Sequence, residues 1–323
     1  MQLIDNVYGT FDVCEPVLIE LLESSAVQRM KGISQMGILQ EWTTDNTFTR
    51  YDHCVGTMVL VRKLGGSLEE QVAALSHDLS HLAFSHTADW ALGDPDKEDL
   101  QDAHHEEYIL RSEVPGILRK HGLDERCAID IARFSLLEQP APALCADRID
   151  YTLREVAANG RKSALEFCLP ALKAYEGKIV FDGYIAAQSF WNAYNECQEK
   201  CWGSPKNLAY HYLVAEALKG GLEDGTITKA NFWTDDRTVV EKLKRSKSQK
   251  VVEALRTLEK GFTVSEKDQE HTLRVKFRHI DPEYLESGKR YKLSETMPGH
   301  AYWLAHAEEL HKKGTQIRIV PNT

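Results

Sequence analysis

Residues 64–67 read Leu-Gly-Gly-Ser, and this short junction restricts the fold more than any other stretch. Upstream, "TRYDHCVGTMVLVRKL" opens on the capping residues Thr49 and Asp52, runs through an apolar series and stops at Gly65-Gly66, a helix bounded at both ends. Downstream, Ser67 and Glu70 form an S-x-x-E capping box that starts the next helix, "LEEQVAALSHDLSH". A stop followed at once by a start leaves two helices as antiparallel neighbours. His53, early in the first, therefore faces His77 and Asp78, late in the second, within reach of one ion.

A further donor has to come from another segment, and "ADRIDYTLRE" offers it. Asp147, Asp150, Tyr151 and Arg154 follow the i, i+3, i+4, i+7 spacing of a single helical stripe. Two imidazoles and two carboxylates make a mixed N/O set suited to a borderline divalent metal such as Mn, Fe, Co, Ni or Zn. Four protein ligands on a six-coordinate ion would leave positions open for water and substrate, the arrangement of a catalytic site. An isolated histidine such as His121 or His211 reads instead as a surface or hydrogen-bonded core residue. Asp150 reads as the partner of a neighbouring arginine.

The remaining pattern is mostly helical up to about residue 225. "CEPVLIELLESSAVQRMKGISQMG" has helical spacing with a break at Ser24-Ser25, and "SALEFCLPALKAY", "GYIAAQSFWNAYNECQEKCW" and "NLAYHYLVAEALKGG" also read as helices. Past residue 226 the period changes. In "TLRVKFRHI", Leu273, Val275 and Phe277 alternate with Arg274, Lys276 and Arg278, which predicts a strand; "RYKLSE" and "TQIRIV" are shorter candidates around a helix in "GHAYWLAHAEELHKK". The expectation is a mainly α protein: a helical domain over 1–225 and a small α+β region over 226–323. The tryptophans Trp42, Trp90, Trp191 and Trp202 read as core or interface, and Cys197 and Cys201 as buried thiols.

Composition bounds the function. The net charge of -10 argues against nucleic acid as a partner, and the basic run "KLKRSKSQK" reads as a solvated helix face. No window reaches the roughly 18 apolar residues of a membrane span. The start lacks a signal-peptide layout, and seven cysteines without CxxC spacing suit a reducing compartment, so the cytoplasm is expected. P-loop, Rossmann and α/β-hydrolase motifs do not occur.

The order H…HD…D resembles the HD-domain metal phosphohydrolases, and the fuller set is similar to their dNTP triphosphohydrolase branch, which includes the SAM-and-HD-domain dNTPase. The stretches that carry the likeness are "IDNVYGTFDVCEPVLIELLESSAVQRMKGISQMG", "FTRYDHCVGTMVLV", "ALSHDLSHLAFSHTADW", "HHEEYIL" and "DRIDYTLRE", with a fainter one in "LRVKFRHIDPEYL". The resemblance implies an HD helical bundle with its core over about 45–160. It makes His53, His77, Asp78 and Asp147 the metal ligands, and His81, His86, Asp89 and His105 a supporting and proton-transfer group. Arg50 and Arg148 would clamp phosphates, Tyr151 would face the sugar, and Gln35 would lie near the nucleoside. The family's H-D-x-G-H-x-P-F reads "HDLSHLAF" here, with Ser80 for Gly and Ala83 for Pro.

The implied activity is hydrolysis of a deoxynucleoside triphosphate to nucleoside and triphosphate, with a divalent transition metal, Mg on the substrate phosphates, and a homo-oligomeric assembly. The alternatives are a nucleotidase or phosphodiesterase on another nucleotide (a monophosphate, a cyclic dinucleotide or (p)ppGpp), an oxygen-activating di-iron protein, and a nucleotide sensor without turnover.

Overall fold

A computed structural model describes residues 1–43, 45, 47–265, 267 and 269–322. The helices through the first half are α1 (Pro16–Glu23), α2 (Ser25–Arg29), α3 (Arg50–Lys63), α4 (Leu68–Ser76), α5 (Thr87–Leu92), α6 (Leu100–Arg111), α7 (Val114–Lys120), α8 (Arg126–Ile129), α9 (Ala146–Ala158) and α10 (Lys162–Cys168). They continue with α11 (Tyr184–Cys197), α12 (Pro205–Glu223), α13 (Asp236–Leu243), α14 (Gln249–Lys260), α15 (Leu293–Thr296) and α16 (Pro298–Lys312). The strands are β1 (Gln2–Asp5), β2 (Gly9–Asp12), β3 (Leu172–Tyr175), β4 (Lys178–Asp182), β5 (Phe262–Ser265), β6 (His271–Leu273), β7 (Glu283–Glu286), β8 (Lys289–Lys292) and β9 (Thr315–Pro321). The protein is thus mainly α with small sheets. Among the described residues no helix is long and apolar enough to cross a membrane.

The α3–α4 junction forms as the sequence requires. Thr49 accepts from the Asp52 amide while the Asp52 carboxylate accepts from the Thr49 amide at 2.8 Å, a reciprocal capping box on α3. Gly65 stops the helix in a left-handed conformation, φ +83°. The second box closes only on one side. Ser67 accepts from the Glu70 amide at 3.1 Å, but the Glu70 carboxylate turns away to accept from the amides of Leu136 and Leu137. That buried carboxylate pins the loop whose Leu136 and Leu137 carbonyls receive the Ala146 and Asp147 amides, and so helps set where α9 starts, with Asp147 in its first turn.

Helix α9 lies against α3 at close range, and Gly56 makes this possible. A Cβ there would meet Arg154 Nη2 at 1.8 Å and Asp150 Oδ1 at 2.1 Å. The apolar core around these helices (Leu18, Met30, Met58, Leu60, Leu75, Ile149 and their neighbours) continues into Phe181, Phe190 and Ile280. A second core joins Leu208, Val214 and Leu218 of α12 to Val239, Leu255, Phe262 and Ile317. The division expected at 225/226 runs through the middle of this second core.

The sheets link distant segments as well. β1 pairs with β2 antiparallel; the order of the second sheet is β3-β4-β7-β8, with β4 and β7 parallel through Phe181–Tyr284 and Asp182–Leu285; the third is β5-β9-β6. Four segments differ from the periodicity reading. "LEEQVAALSHDLSH" is helical only to Ser76, and residues 77–80 are turns. "SALEFCLPALKAY" is helical only to a short 3-10 turn at Leu169–Ala171, where Pro170 removes a backbone donor, and Leu172 then begins a β-hairpin closed at Glu176-Gly177. "RYKLSE" is strand to Lys292 and then the short helix α15. In "TLRVKFRHI" only Thr272 and Leu273, the end of β6, pair in a sheet, and the chain from 274 to 282 has no regular structure.

Candidate metal centre

The donors converge where the start of α3, the end of α4 and the start of α9 meet. His53 Nε2 lies 3.2 Å from His77 Nε2, 3.0 Å from Asp147 Oδ1 and 3.6 Å from Asp78 Oδ2. His77 Nε2 is 3.6 Å from both Asp78 Oδ1 and Asp147 Oδ1. His53, His77 and Asp78 are buried, and Asp147 is partly open towards a cavity.

The tautomers follow from what stands behind each ring. His77 Nδ1 donates to the Ala74 carbonyl at 2.8 Å. His53 Nδ1 faces Asp150 Oδ2 at 2.7 Å, and that carboxylate also accepts from Arg154 Nε at 2.8 Å, so the imidazole must donate. Both Nε2 lone pairs therefore aim at one point beside two carboxylates. Lone pairs at such separation repel unless a cation or a proton lies between them. Burial pushes the His77 imidazole down, yet Asp78 and Asp147 outweigh it and lift the group to about 9. The donor set thus attracts positive charge, and its chemistry fits a divalent transition metal.

Behind His53 runs a buried ladder: Asp150 to Arg154, and Arg154 Nη2 to Asp5 Oδ2 of β1 at 2.7 Å. Asp150 is the arginine's partner, as read from the sequence, and it is also the orienting acceptor for His53.

A cavity of about 680 Å³ opens on the centre. Gln35, Arg50, His77, Asp78, His81, His86, Asp147, Arg148 and Tyr151 line it; His53, Asp89 and His105 do not. Arg50 is buried, with Nη1 on Asp78 Oδ2 at 2.5 Å and Nε on Ser85 Oγ at 3.0 Å. Arg148 Nη1 donates to the carbonyls of Gln139 (2.6 Å) and Ala143 (3.0 Å), and its Nη2 is 3.4 Å from Glu138. His81 Nε2 is 3.4 Å from Asp78 Oδ1; burial and the Arg50 charge push its imidazole down to about 3, so it is neutral. His86 packs edge-on against His81, with Nδ1 3.6 Å from Asp89 and 3.7 Å from Glu98.

His105 has both ring nitrogens occupied, by Ser80 Oγ at 3.1 Å and the Ala128 carbonyl at 2.8 Å. It stands outside the cavity, propping the turn that follows Asp78, and Ser80, at the place of the family's glycine, is the residue it holds. Asp89 is buried, accepting from the Leu100 amide at 3.2 Å beside His86.

Several lining residues carried no sequence signal. Glu98 is buried and has a φ of +50°, a property of the folded backbone alone. Glu138 reaches the cavity next to Asp147, and burial together with that neighbouring charge pushes its carboxyl up to about 7 despite Arg148. Trp202 is buried as expected for a core residue, yet it lines the cavity with Tyr151 and Tyr194, each packed edge-on at 5.2 Å. Residues 275–279 supply a further wall.

The HD domain family matches residues 50–155, the span that holds all four donors. The chain is 36% identical over 329 aligned positions to the uncharacterised protein YdhJ of Bacillus subtilis, covering 99% of each. It is 31% identical over 296 positions to the metal-dependent phosphohydrolase cns2 of Cordyceps militaris, covering 88% of this chain and 85% of that protein. A phosphohydrolase (BT4208) from Bacteroides thetaiotaomicron has a similar solved structure, with a TM-score of 0.72 at 16% identity and full coverage of both chains. A hypothetical protein from Aquifex aeolicus gives a TM-score of 0.68 at 18% identity, covering 99% of this chain and 96% of that one. At such identities these structures show the shared fold. Matched along most of its length by a relative of that class, the chain belongs to the HD-domain metal-dependent phosphohydrolase family.

Proposed function

We propose that the cavity hydrolyses a nucleotide, and that the substrate is a deoxynucleoside triphosphate, cleaved to nucleoside and triphosphate. The observation that carries the reading is the convergence of His53, His77, Asp78 and Asp147 at the wall of a cavity that also offers arginines and an aromatic surface. Those four residues would hold the metal, which supplies an activated water and a charge sink for phosphoryl oxygens. The choice of a deoxynucleoside triphosphate rests on the resemblance through Gln35, Arg50, Arg148 and Tyr151.

Hydrolysis at the α-phosphate joins the oxygen of water to phosphorus, breaks the P–O5′ bond and requires a proton at O5′. His86, on the cavity wall beside Asp89 and Glu98, is placed to deliver it, while buried, neutral His81 keeps that ring upright. Arg50 holds Asp78 and presents its guanidinium to the cavity, and Arg148 does the same from the α9 side. Tyr151, with Tyr194 and Trp202, forms an aromatic face suited to a sugar or base. His105 and Asp89 position the turn and the histidine.

A second reading, a nucleoside monophosphate, is favoured by one observation. Each cavity arginine already faces a carboxylate (Arg50 with Asp78, Arg148 with Glu138, Arg278 with Glu98), which leaves little net charge for a polyphosphate. Incubation of Mn²⁺-loaded protein with panels of dNTPs and nucleoside monophosphates separates the two. Release of inorganic triphosphate supports the first; release of orthophosphate from monophosphates alone supports the second; no hydrolysis with metal bound removes both. The same resemblance supports a homo-oligomer, which light scattering tests; the cysteine usage supports a reducing compartment such as the cytoplasm, which fractionation tests.

A further inference from the structure

Among the cations lining the cavity Lys276 stands apart. Arg50, Arg148 and Arg278 each meet a carboxylate, whereas none of the ion pairs among the described residues includes Lys276. A paired cation contributes little net field at a ligand, because its partner's opposite charge lies at nearly the same distance. An unpaired one contributes a full charge. That charge is felt by the carboxylates of Glu98 and Asp102 on the same cavity, without either forming an ion pair with it.

Lys276 reaches the cavity on a strap, residues 274–282, which connects β6 to β7 without regular structure. The strap is nonetheless fastened along its length. Arg274 pairs with Asp96 at 3.0 Å, the Val275 carbonyl accepts from His311, Arg278 pairs with buried Glu98, and the Asp281 amide donates to the Pro142 carbonyl at 2.8 Å. Glu98 also receives the Lys276 amide at 3.4 Å. That glutamate keeps a left-handed backbone, φ +50°, which a side-chain-bearing residue adopts only where its surroundings hold it. Its carboxylate lies 3.7 Å from His86. One buried group therefore registers the strap against the histidine placed for proton transfer, and Lys276 stands on that same side of the cavity.

We infer that Lys276 is a specificity-determining residue that binds the outer phosphates of the substrate, so that a segment outside the HD-matched span sets how many phosphates the site accepts. This rests on the nucleotide reading above. It also answers the charge shortage there: the cation a triphosphate requires comes from the strap, not from the helices.

The test uses the full-length, Mn²⁺-loaded protein with Lys276→Ala and Lys276→Arg. Two readouts are taken: KM and kcat for dGTP and dGMP, and calorimetric binding of inorganic triphosphate in excess Mg²⁺. Lys276→Ala raises KM for dGTP about tenfold and weakens inorganic triphosphate binding about as much, the worth of one charge-assisted hydrogen bond. KM for dGMP, kcat and metal content change little, and Lys276→Arg restores binding. Equal binding of inorganic triphosphate by wild type and Lys276→Ala overturns the assignment, even if dGTP is hydrolysed. If wild type hydrolyses neither nucleotide yet the alanine variant loses triphosphate binding, the nucleotide reading fails and the assignment of Lys276 stands.

Discussion

Two walls of the cavity are held by different means. At the candidate metal centre, His53 and Asp147 sit on helices while His77 and Asp78 follow the end of α4, and buried partners stand behind or beside three of them: Asp150, Arg154 and Asp5 behind His53, the Ala74 carbonyl behind His77, Arg50 beside Asp78. Across the strap, residues 274–282, the side chains ride on chain with no ladder of its own, fastened at separate points by Glu98, His311 and Pro142. The contrast follows from tolerance. Ligands to a transition metal must be placed to a fraction of an ångström, which regular, doubly supported elements provide. A lysine meeting a phosphate works over a wider range of positions. Glu98 is where the two walls meet, since it holds Arg278 and the Lys276 amide on one side and faces His86 on the other.

The comparison breaks most visibly at Asp147. Asp147→Ala removes the donor nearest to His53, and bound metal measured by elemental analysis should fall from stoichiometric to background, with activity down by on the order of a thousandfold or more. Lys276→Ala leaves metal content unchanged. Equal metal loss in both variants would erase the distinction between the two walls.

Gly56→Ala probes the support behind the donors. Its Cβ would lie 1.8 Å from Arg154 Nη2 and 2.1 Å from Asp150 Oδ1, so the buried ladder must separate or α3 must move away from α9. Breaking a buried pair costs about 3–5 kcal/mol. Thermal unfolding should show a loss of that order, and a near-normal melting temperature would mean that the helices can part freely. The milder Asp150→Asn keeps the shape and removes the charge behind His53; metal affinity, read by chelator competition, should fall about 10–100-fold while the fold persists.

The two walls also differ in how far the sequence discloses them. The donors were legible because their type, order and helix boundaries coincide: Thr49 and Asp52 start α3, Gly65 ends it, and the junction sets His53 against His77. What lies one layer back was legible only in part. Asp150 reads as an arginine's partner, but its bond to His53 depends on how α3 and α9 cross, which no spacing within α9 reports. Glu70 looks like half of a capping box and instead holds the Leu136 and Leu137 amides, a contact 66 residues away. The strap reads as a strand for a physical reason. Alternation of Val275 and Phe277 with Arg274, Lys276 and Arg278 marks extended chain with one dry and one wet side, and a cavity wall imposes that pattern as readily as a sheet does.

His211 tests whether the firm support extends to the wall supplied by α12, and its effect is silent near neutral pH. The ring is buried and stacked on Trp90, with Nδ1 2.7 Å from Thr87 Oγ1 and Nε2 3.0 Å from Asn207 Nδ2. Because the Asn207 amide nitrogen can only donate, Nε2 must accept, and a second proton has no place to go. Burial accordingly pushes the imidazole down to about 4. The folded value lies below the unfolded one, near 6.5, so the unfolded chain takes up the proton first as pH falls. Stability from this group is intact above pH 6.5 and declines as pH drops towards 4, by at most ~3 kcal/mol. His211→Gln keeps an acceptor for Asn207 and a donor for Thr87 without the titration. Urea midpoints at pH 7.5 should nearly coincide for the two proteins, and at pH 4.5 the variant should be the more stable. Parallel losses on the acid side would mean that the α12 wall opens to admit the proton, and would align it with the strap rather than with the metal centre.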